Sequence, residues 1–310
     1  DLKTTGWELQ IDYNHAFNKD FAVYGTFTLA DSKSEITKWN NTTGALQGWY
    51  EGKQLGEIWG FETDRYFNSS DLNSDGTLKE GIPDQSYIQT GSFRFGAGDV
   101  KFKDIDGSGK IDTGKGTIDD HGDLKRIGNA LPRYEYSLRL GAMFKGFDFE
   151  VLFQGVGKRD MWTTSSLFIP HAAGAQMNIF ENQLDYWTEN NQNARFPRPY
   201  INSAFGSLSG LPSNSGINNF VPQTKYLNNL AYLRVKNLTV GYTIPQNLTQ
   251  KVSVEKLRIY FSAQNLLTFD HIDGVMDPES TGGWSSGLNV DSLSGVDTRY
   301  AGRSMPFNRQ

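Results

Sequence analysis

Two acidic stretches carry residue types and spacings suited to cation chemistry. Asp104, Asp106, Ser108 and Asp112, with Gly109 at a sharp turn and the Lys110 carbonyl available, match the first nine positions of a calcium-binding loop. A hard cation of that kind needs about six to eight oxygens, and this spacing curls short carboxylates around one point. The twelfth position, where a bidentate Glu is expected, is Lys115, so Asp119 or Asp120 would have to substitute after the insertion Thr113 to Thr117. Asp71, Asn73, Asp75 and the Thr77 carbonyl, with Gly76 at the turn, form a second candidate whose twelfth position is Ile82, leaving Glu80 or Asp84 as substitutes. The competing reading is that both stretches are Asx turns bonded to their own backbone. Either way the expected role is to stiffen a loop, not to catalyse.

Other chemistry is thinly supported. Glu135 with Asp148, or Asp148 with Glu150, would suit a glycosidase pair, but they fall on the polar side of alternating segments, where a solvated wall is the simpler account. His15, His121, His171 and His271 are scattered without metal-ligand spacing, and the absence of cysteine leaves no thiol nucleophile. Gly155-Val156-Gly157 is too short for a phosphate loop, so no organic cofactor is expected. Trp39, Trp49, Tyr50, Trp59, Phe61, Trp162, Trp187, Tyr200 and Trp284 lie in long connections, where flat rings can stack on sugars, grip a partner, or simply pack the loops.

The elements that position these residues are strands. Tyr134, Tyr136, Leu138, Leu140, Ala142 and Phe144 alternate with Glu135, Ser137, Arg139, Gly141 and Met143. After a break at Lys145 and Gly146, Phe147, Phe149, Val151 and Phe153 alternate with Asp148, Glu150, Leu152 and Gln154. Side chains on a strand reverse direction at each residue, so one face is oily and aromatic and the other polar. That pattern suits a wall between lipid and water.

Six strands are predicted. Trp7, Leu9, Ile11 and Tyr13 mark the first, and Phe21, Val23, Phe27 and Leu29 the second, joined at Asn18 to Asp20. The hairpin above gives the third and fourth. The fifth runs from Ala231 to Ile244, with a bulge near Lys236 and Asn237, and the sixth carries Leu257, Ile259, Phe261 and Ala263 after a compact turn from Pro245 to Lys256. Long connections run from near Ser32 to Leu131, from Gly157 to about Asn229, and from about Asp270 onward. Within the second, Met177, Phe180, Leu184 and Trp187 predict a short helix over Ala175 to Glu189.

Composition agrees. Of 310 residues only 37% are hydrophobic, yet 13% are aromatic and 33 are glycine, and no run of about 20 apolar residues exists to form a spanning helix. Half of each barrel strand faces water, so a membrane barrel reads as polar overall. A net charge of -5 without a basic stripe gives no reason to expect nucleic acid as a partner. The alternation of short and long connections places the short turns in the periplasm and the long loops outside the cell. Trp7 and Tyr134 read as interface-girdle residues. Asp1 to Lys3 do not resemble a start, and Pro306 to Gln310 read as the approach to a further strand. Six strands cannot close a barrel alone, so others must come from elsewhere.

Several stretches, in order along the chain, resemble a known family. They are Gly56 to Asp64 (GEIWGFETD), Gly98 to Gly107 (GDVKFKDIDG), Ile127 to Tyr134 (IGNALPRY), Leu184 to Asn190 (LDYWTEN) followed by Phe196 to Pro199 (FPRP), Tyr232 to Tyr242 (YLRVKNLTVGY) and Arg258 to Phe269 (RIYFSAQNLLTF). The set is similar to the C-terminal barrel portion of SusC/RagA-type TonB-dependent outer-membrane transporters of Bacteroidetes. The resemblance implies an antiparallel transmembrane β-barrel segment with long extracellular loops, part of a plugged barrel of roughly 22 strands, with the plug, the TonB-contacting segment and the last strand absent from this chain. It further implies a SusD-like surface lipoprotein as partner and import of oligosaccharides or peptides across the outer membrane without bond chemistry. Two alternatives stay open: a soluble, calcium-stabilised all-β carbohydrate-binding module, and a passive porin or adhesin barrel.

Overall fold

The computed structural model describes residues 1–89, 93–163, 165, 167–170, 180–200, 216–272 and 275–280. Twelve strands run along them: β1 (Leu2–Asn18), β2 (Phe21–Ile36), β3 (Glu57–Phe61), β4 (Thr63–Tyr66), β5 (Val100–Phe102), β6 (Leu124–Asn129), β7 (Arg133–Phe144), β8 (Phe147–Lys158), β9 (Asp160–Met161), β10 (Asn228–Asn229), β11 (Tyr232–Thr243) and β12 (Arg258–Asp270). One α-helical turn, α1 (Gln246–Thr249), interrupts them. The six long strands form one sheet in the order β1-β2-β7-β8-β11-β12, every neighbouring pair antiparallel. Each long strand therefore pairs with the next long strand in the chain, and all six expected strands are present.

Register keeps the two faces separate across the whole sheet. Ile11 stands opposite Phe27, Phe27 opposite Leu138, Leu138 opposite Phe153, Phe153 opposite Val235, and Val235 opposite Leu267. One step along, Asp12, Thr26 and Arg139 line up on the other face. A slip of one residue in any pairing would have swapped the faces. The hairpin turn at Lys145 (φ 46) and Gly146 (φ 87) holds the β7–β8 register, since a two-residue loop with both angles positive matches the strand twist. In β11 the pairing with β8 shifts between Val235 and Asn237, making Lys236 the extra residue, as the shifted apolar parity predicted. β12 answers with its own irregularity around Asn265, whose φ of 50 is the left-handed value a bulge accepts from Asn.

The apolar side chains of this sheet and those of the long connections meet opposite fates. Ile11, Phe17, Phe147 and Phe261 are more than half exposed, and among the described residues no second layer covers the apolar face. The long connections instead bury a core of their own. Ile58, Phe61, Phe102 and Ile111 from the first connection pack with Trp162, Ile169, Phe196 and Phe220 from the second and Ile272 from the segment after β12. Three small ribbons, β3–β6, β4–β5 and β9–β10, frame this cap. Each buried aromatic or large aliphatic contributes about 1.5–3 kcal/mol, enough to order long connections that have little regular structure.

In the described part of the helix predicted over Ala175 to Glu189, residues 180–189, no α-helix is formed. Residues 175–179 lie outside the described residues, and beyond them the chain makes a single 3-10 turn, Glu181–Gln183. Tyr186 then bridges to Phe196 and Thr188 to Asn191. Extended pairing carries Trp187 into the shared core and outweighs a helical pattern too short to hold itself.

Candidate functional site: the polar face and the loop cap

The polar face of the sheet is a connected set of hydrogen bonds. Tyr24 lies over Gly141, where a Cβ would come within 2.1 Å of its ring, and its hydroxyl donates to Glu150 Oε2 at 2.7 Å. Arg139 donates to the same oxygen at 2.6 Å. Asp148 accepts from Arg258 through both oxygens, at 3.0 and 2.5 Å. Thr26 donates to Asp12, and Thr28 pairs with Ser137. Asp148 and Glu150 are thus each neutralised by their own arginine, which leaves no shared acid–base pair and removes the glycosidase reading.

Nearer the long connections, Arg133 grips Asp31 between β7 and β2. Arg234 on β11, with 1% of its side chain exposed, donates to both oxygens of Asp277 at 2.7 and 2.8 Å, to Glu279 at 2.8 Å and to Thr268 at 3.0 Å. Glu279 also accepts from the Tyr232 hydroxyl. The segment after β12 is therefore folded back against β11.

Inside the cap, Asp99 is fully buried and accepts from the Gly96 N–H, the Tyr200 hydroxyl, Asn219 and Arg198. Burial pushes its carboxyl up, against the opposing pull of the Arg198 guanidinium, and burial likewise pushes the Tyr200 hydroxyl up. Glu57 accepts from Tyr50 and, at 2.8 Å, from the Trp59 indole.

The first acidic turn assembles differently from its expected pattern. Asp104 accepts from the N–H groups of Gly107, Ser108 and Gly109, and Asp106 from that of Ser108. The third carboxylate near them is Asp123, all three offering an oxygen within 4.8 Å of one another. Asp112 is turned to the Gly114 N–H, the Lys110 carbonyl accepts from Ser108 Oγ, and Asp120 pairs with Lys115. Asp123 is fully buried, which raises its carboxyl, and it accepts from the N–H groups of Ile105 and Asp112. Three carboxylates could hold a hard cation, though they supply only part of its oxygen shell. Loop spacing pointed to Asp119 or Asp120 instead of Asp123, because the insertion hides it; its only sequence signal is that it is the next acidic residue after Asp120.

The second acidic stretch is corrected to an Asx turn. Asp71 is buried against Arg65 at 2.6 and 2.7 Å, so a cation already occupies its carboxylate, and that guanidinium holds it below the usual range. Asp75 accepts from the Thr77 N–H and hydroxyl, and Asn73 donates to Thr77 and the Leu78 carbonyl.

The loop aromatics divide. Tyr50, Phe61, Trp162, Trp187 and Tyr200 are buried in the cap, so their rings hold the loops together and do not face outward. Trp59 is half-buried beside His121, with ring centroids 5.3 Å apart. Trp39 is exposed and lies 6.3 Å from Trp49. Trp284 and His171 lie outside the described residues.

No family model matches the chain. It is 24% identical over 328 residues to TonB-dependent receptor P3 of Formosa agariphila, covering 99% of this chain and 29% of that receptor. It is 23% identical over 217 residues to TonB-dependent receptor P26 of the same organism, covering 68% of this chain and 20% of the receptor. Its fold is similar to that of the RagAB peptide transporter, with TM-score 0.55, 21% identity and coverage of 90% of this chain and 27% of the other. For the RagAB peptide importer in its closed-closed state the values are 0.54, 21%, 96% and 28%. The chain spans less than a third of the length of each of these proteins. In sequence, then, this chain is similar to TonB-dependent receptors, and in fold to the RagAB peptide transporter.

Proposed function

We propose that the chain supplies six consecutive strands and three outward loops of an outer-membrane, TonB-dependent importer. The apolar face of the sheet touches acyl chains, and the Tyr24–Glu150–Arg139 side borders the conduit. Strands of 12 to 17 residues exceed the roughly 9–11 that a tilted strand needs to cross the hydrocarbon. The row from Ile11 to Leu267 carries the reading: it is apolar at every strand, and although Val235 is buried among its neighbours, Ile11 and Leu267 stay 54% and 47% exposed. A soluble sandwich would bury that row under a second sheet. The open edges β1 and β12 pair with further strands of the barrel, which encloses a plug.

The cargo is an oligosaccharide or a peptide, and the loop cap forms part of the surface that meets a SusD-like lipoprotein. A cation at Asp104, Asp106 and Asp123 would stiffen that cap and take no part in chemistry.

The test uses the complete protein in outer-membrane vesicles, with single cysteines introduced into this cysteine-free stretch. A water-soluble maleimide should modify positions 26 and 262 and spare 149 and 240. The reverse pattern would sink the membrane assignment. Loss of cargo uptake on deleting the TonB system separates active import from a passive pore.

A further inference from the structure

The connections at the short-turn end are unequal. Lys19 with Asp20 and Lys145 with Gly146 close two hairpins, whereas the whole segment from Ile244 to Leu257 joins β11 to β12. It is wound into α1 and a 3-10 turn, Gln250–Val252, and is stopped by Ser253 at φ 58. The Ile244 N–H donates to the Leu257 carbonyl and pins its base. Thr249 is buried inside it, yet Leu248, Val252, Val254 and Leu257 are 52%, 68%, 36% and 41% exposed. A connector bathed in water is built from Gly, Asn, Asp and Ser; four open aliphatics in so short a stretch are the opposite pattern.

Three features indicate what covers them. Leu257 continues the parity of Ile259 and Phe261, so the aliphatic patch is continuous with the apolar face of the sheet. Phe17, Phe21, Phe144, Phe147 and Tyr242 form a row of rings at this same end, with neighbouring centroids 4.9 Å apart for Phe17–Phe21, 6.0 Å for Phe21–Phe144 and 4.4 Å for Phe147–Tyr242. Such a belt marks the border between acyl chains and headgroups. The groove between this segment and the neighbouring hairpin, about 500 Å³, is lined by Lys145 and Lys256 together with Asp20 and Glu255. Cations beside carboxylates complement the phosphate and ammonium of a zwitterionic headgroup.

We infer that Ile244–Leu257 is an interfacial anchor, its aliphatic side chains entering the edge of the phospholipid leaflet and its charged groups meeting the headgroups. This rests on the barrel reading above. It makes the segment a lipid contact of its own, beyond what closing a hairpin requires.

The experiment places an environment-sensitive fluorophore on single cysteines at Leu248, Val252 and, as a reference on the apolar face of β8, Phe149, in the complete protein reconstituted into phosphatidylcholine vesicles. Heat-modifiable gel mobility confirms that each variant is folded. Lipids doxyl-labelled near the carbonyls should quench positions 248 and 252 about twofold more than lipids labelled near the chain ends, with a weaker preference at 149, which lies deeper along the strand. Aqueous iodide should quench 248 and 252 weakly. If 149 behaves as expected but 248 and 252 answer only to iodide, the anchor is wrong and the barrel stands. Shielding of 248 and 252 from both quenchers would mean that protein covers them, which also overturns the anchor. If 149 too escapes the lipid quenchers, the barrel reading falls and takes the anchor with it.

Discussion

The Arg234 guanidinium meets both carboxylate oxygens of Asp277, at 2.7 and 2.8 Å, across the gap between β11 and the segment that follows β12. The arginine is almost wholly buried, and Asp277 keeps 13% of its side chain exposed, so neither charge can recover its hydration if the other is lost. Removing one partner of such a pair costs about 3–5 kcal/mol. Arg234→Met should therefore release residues 275–280 from β11, seen as faster amide exchange there, with exchange in β7 and β8 unchanged. Arg234→Lys should fall between, because an ammonium cannot span two carboxylates as the guanidinium does.

Glu62 predicts an acid-sensitive cap. It accepts from Lys103 and Lys125, and these hydrogen bonds hold its carboxyl down to about 2 from an ordinary value of 4.5. A carboxylate depressed by folding contributes stability above its unfolded value and loses it as pH falls through the folded one. Cap stability, followed by near-ultraviolet dichroism of its tryptophans, should decline between about pH 4.5 and 2. Glu62→Gln should flatten that decline while lowering stability at neutral pH.

What the sequence made legible follows from how far apart the determining contacts lie. The alternation from Tyr134 to Phe153 and the Lys145–Gly146 turn are local, so strand, face and hairpin could be read directly. Lys236 announced its bulge by displacing the apolar parity of its own strand. The cap was opaque because its core joins Ile58, Trp162, Phe196 and Ile272, residues far apart in the chain with no periodicity to mark them. Asp71 looked like a cation ligand until Arg65, on the preceding strand, took its carboxylate. Asp123 joined Asp104 and Asp106 only through folding of the inserted stretch between them.

Gly98 is held at φ 90, and a Cβ there would lie 2.4 Å from Trp187 Cε3 and 2.9 Å from Arg198 Cβ. Two costs combine, a left-handed backbone and a clash with a buried ring, of about 1–3 kcal/mol each. Gly98→Ala should lower the melting temperature of the cap and loosen the neighbouring Asp99 cluster. In combination with Trp187→Ala the two losses should add to less than their sum, since the smaller side chain relieves the clash. Full additivity in that cycle would show that the indole does not pack on Gly98.

At the acidic turn, calcium should raise the thermal stability of the cap, and Asp123→Asn should abolish that increment along with the chelator sensitivity. The same variant should weaken the cap somewhat without calcium, because Asp123 accepts from the Ile105 and Asp112 N–H groups. A stability that ignores calcium in the unmodified protein would leave Asp104, Asp106 and Asp123 as a purely hydrogen-bonded turn.

Val151 and Ser137 offer the sharpest contrast between the two faces. Val151 stands between Leu140 of β7 and Leu238 of β11 in the apolar row, whereas Ser137 is paired with Thr28 on the polar side. A lipid-facing charge near the bilayer midplane costs about 2–4 kcal/mol, whereas a charge facing an aqueous lumen costs little. Val151→Arg and Leu138→Arg should therefore slow assembly and lower the temperature at which the folded band disappears on an unboiled gel, with Ser137→Arg close to the unmodified protein. Because Ser137 and Leu138 are adjacent in sequence and on one strand, propensity and position are nearly matched, and only the side on which the charge emerges differs. Equal tolerance of arginine at 137 and 138 would mean that both faces see water, and the assignment of acyl chains to one of them would fail.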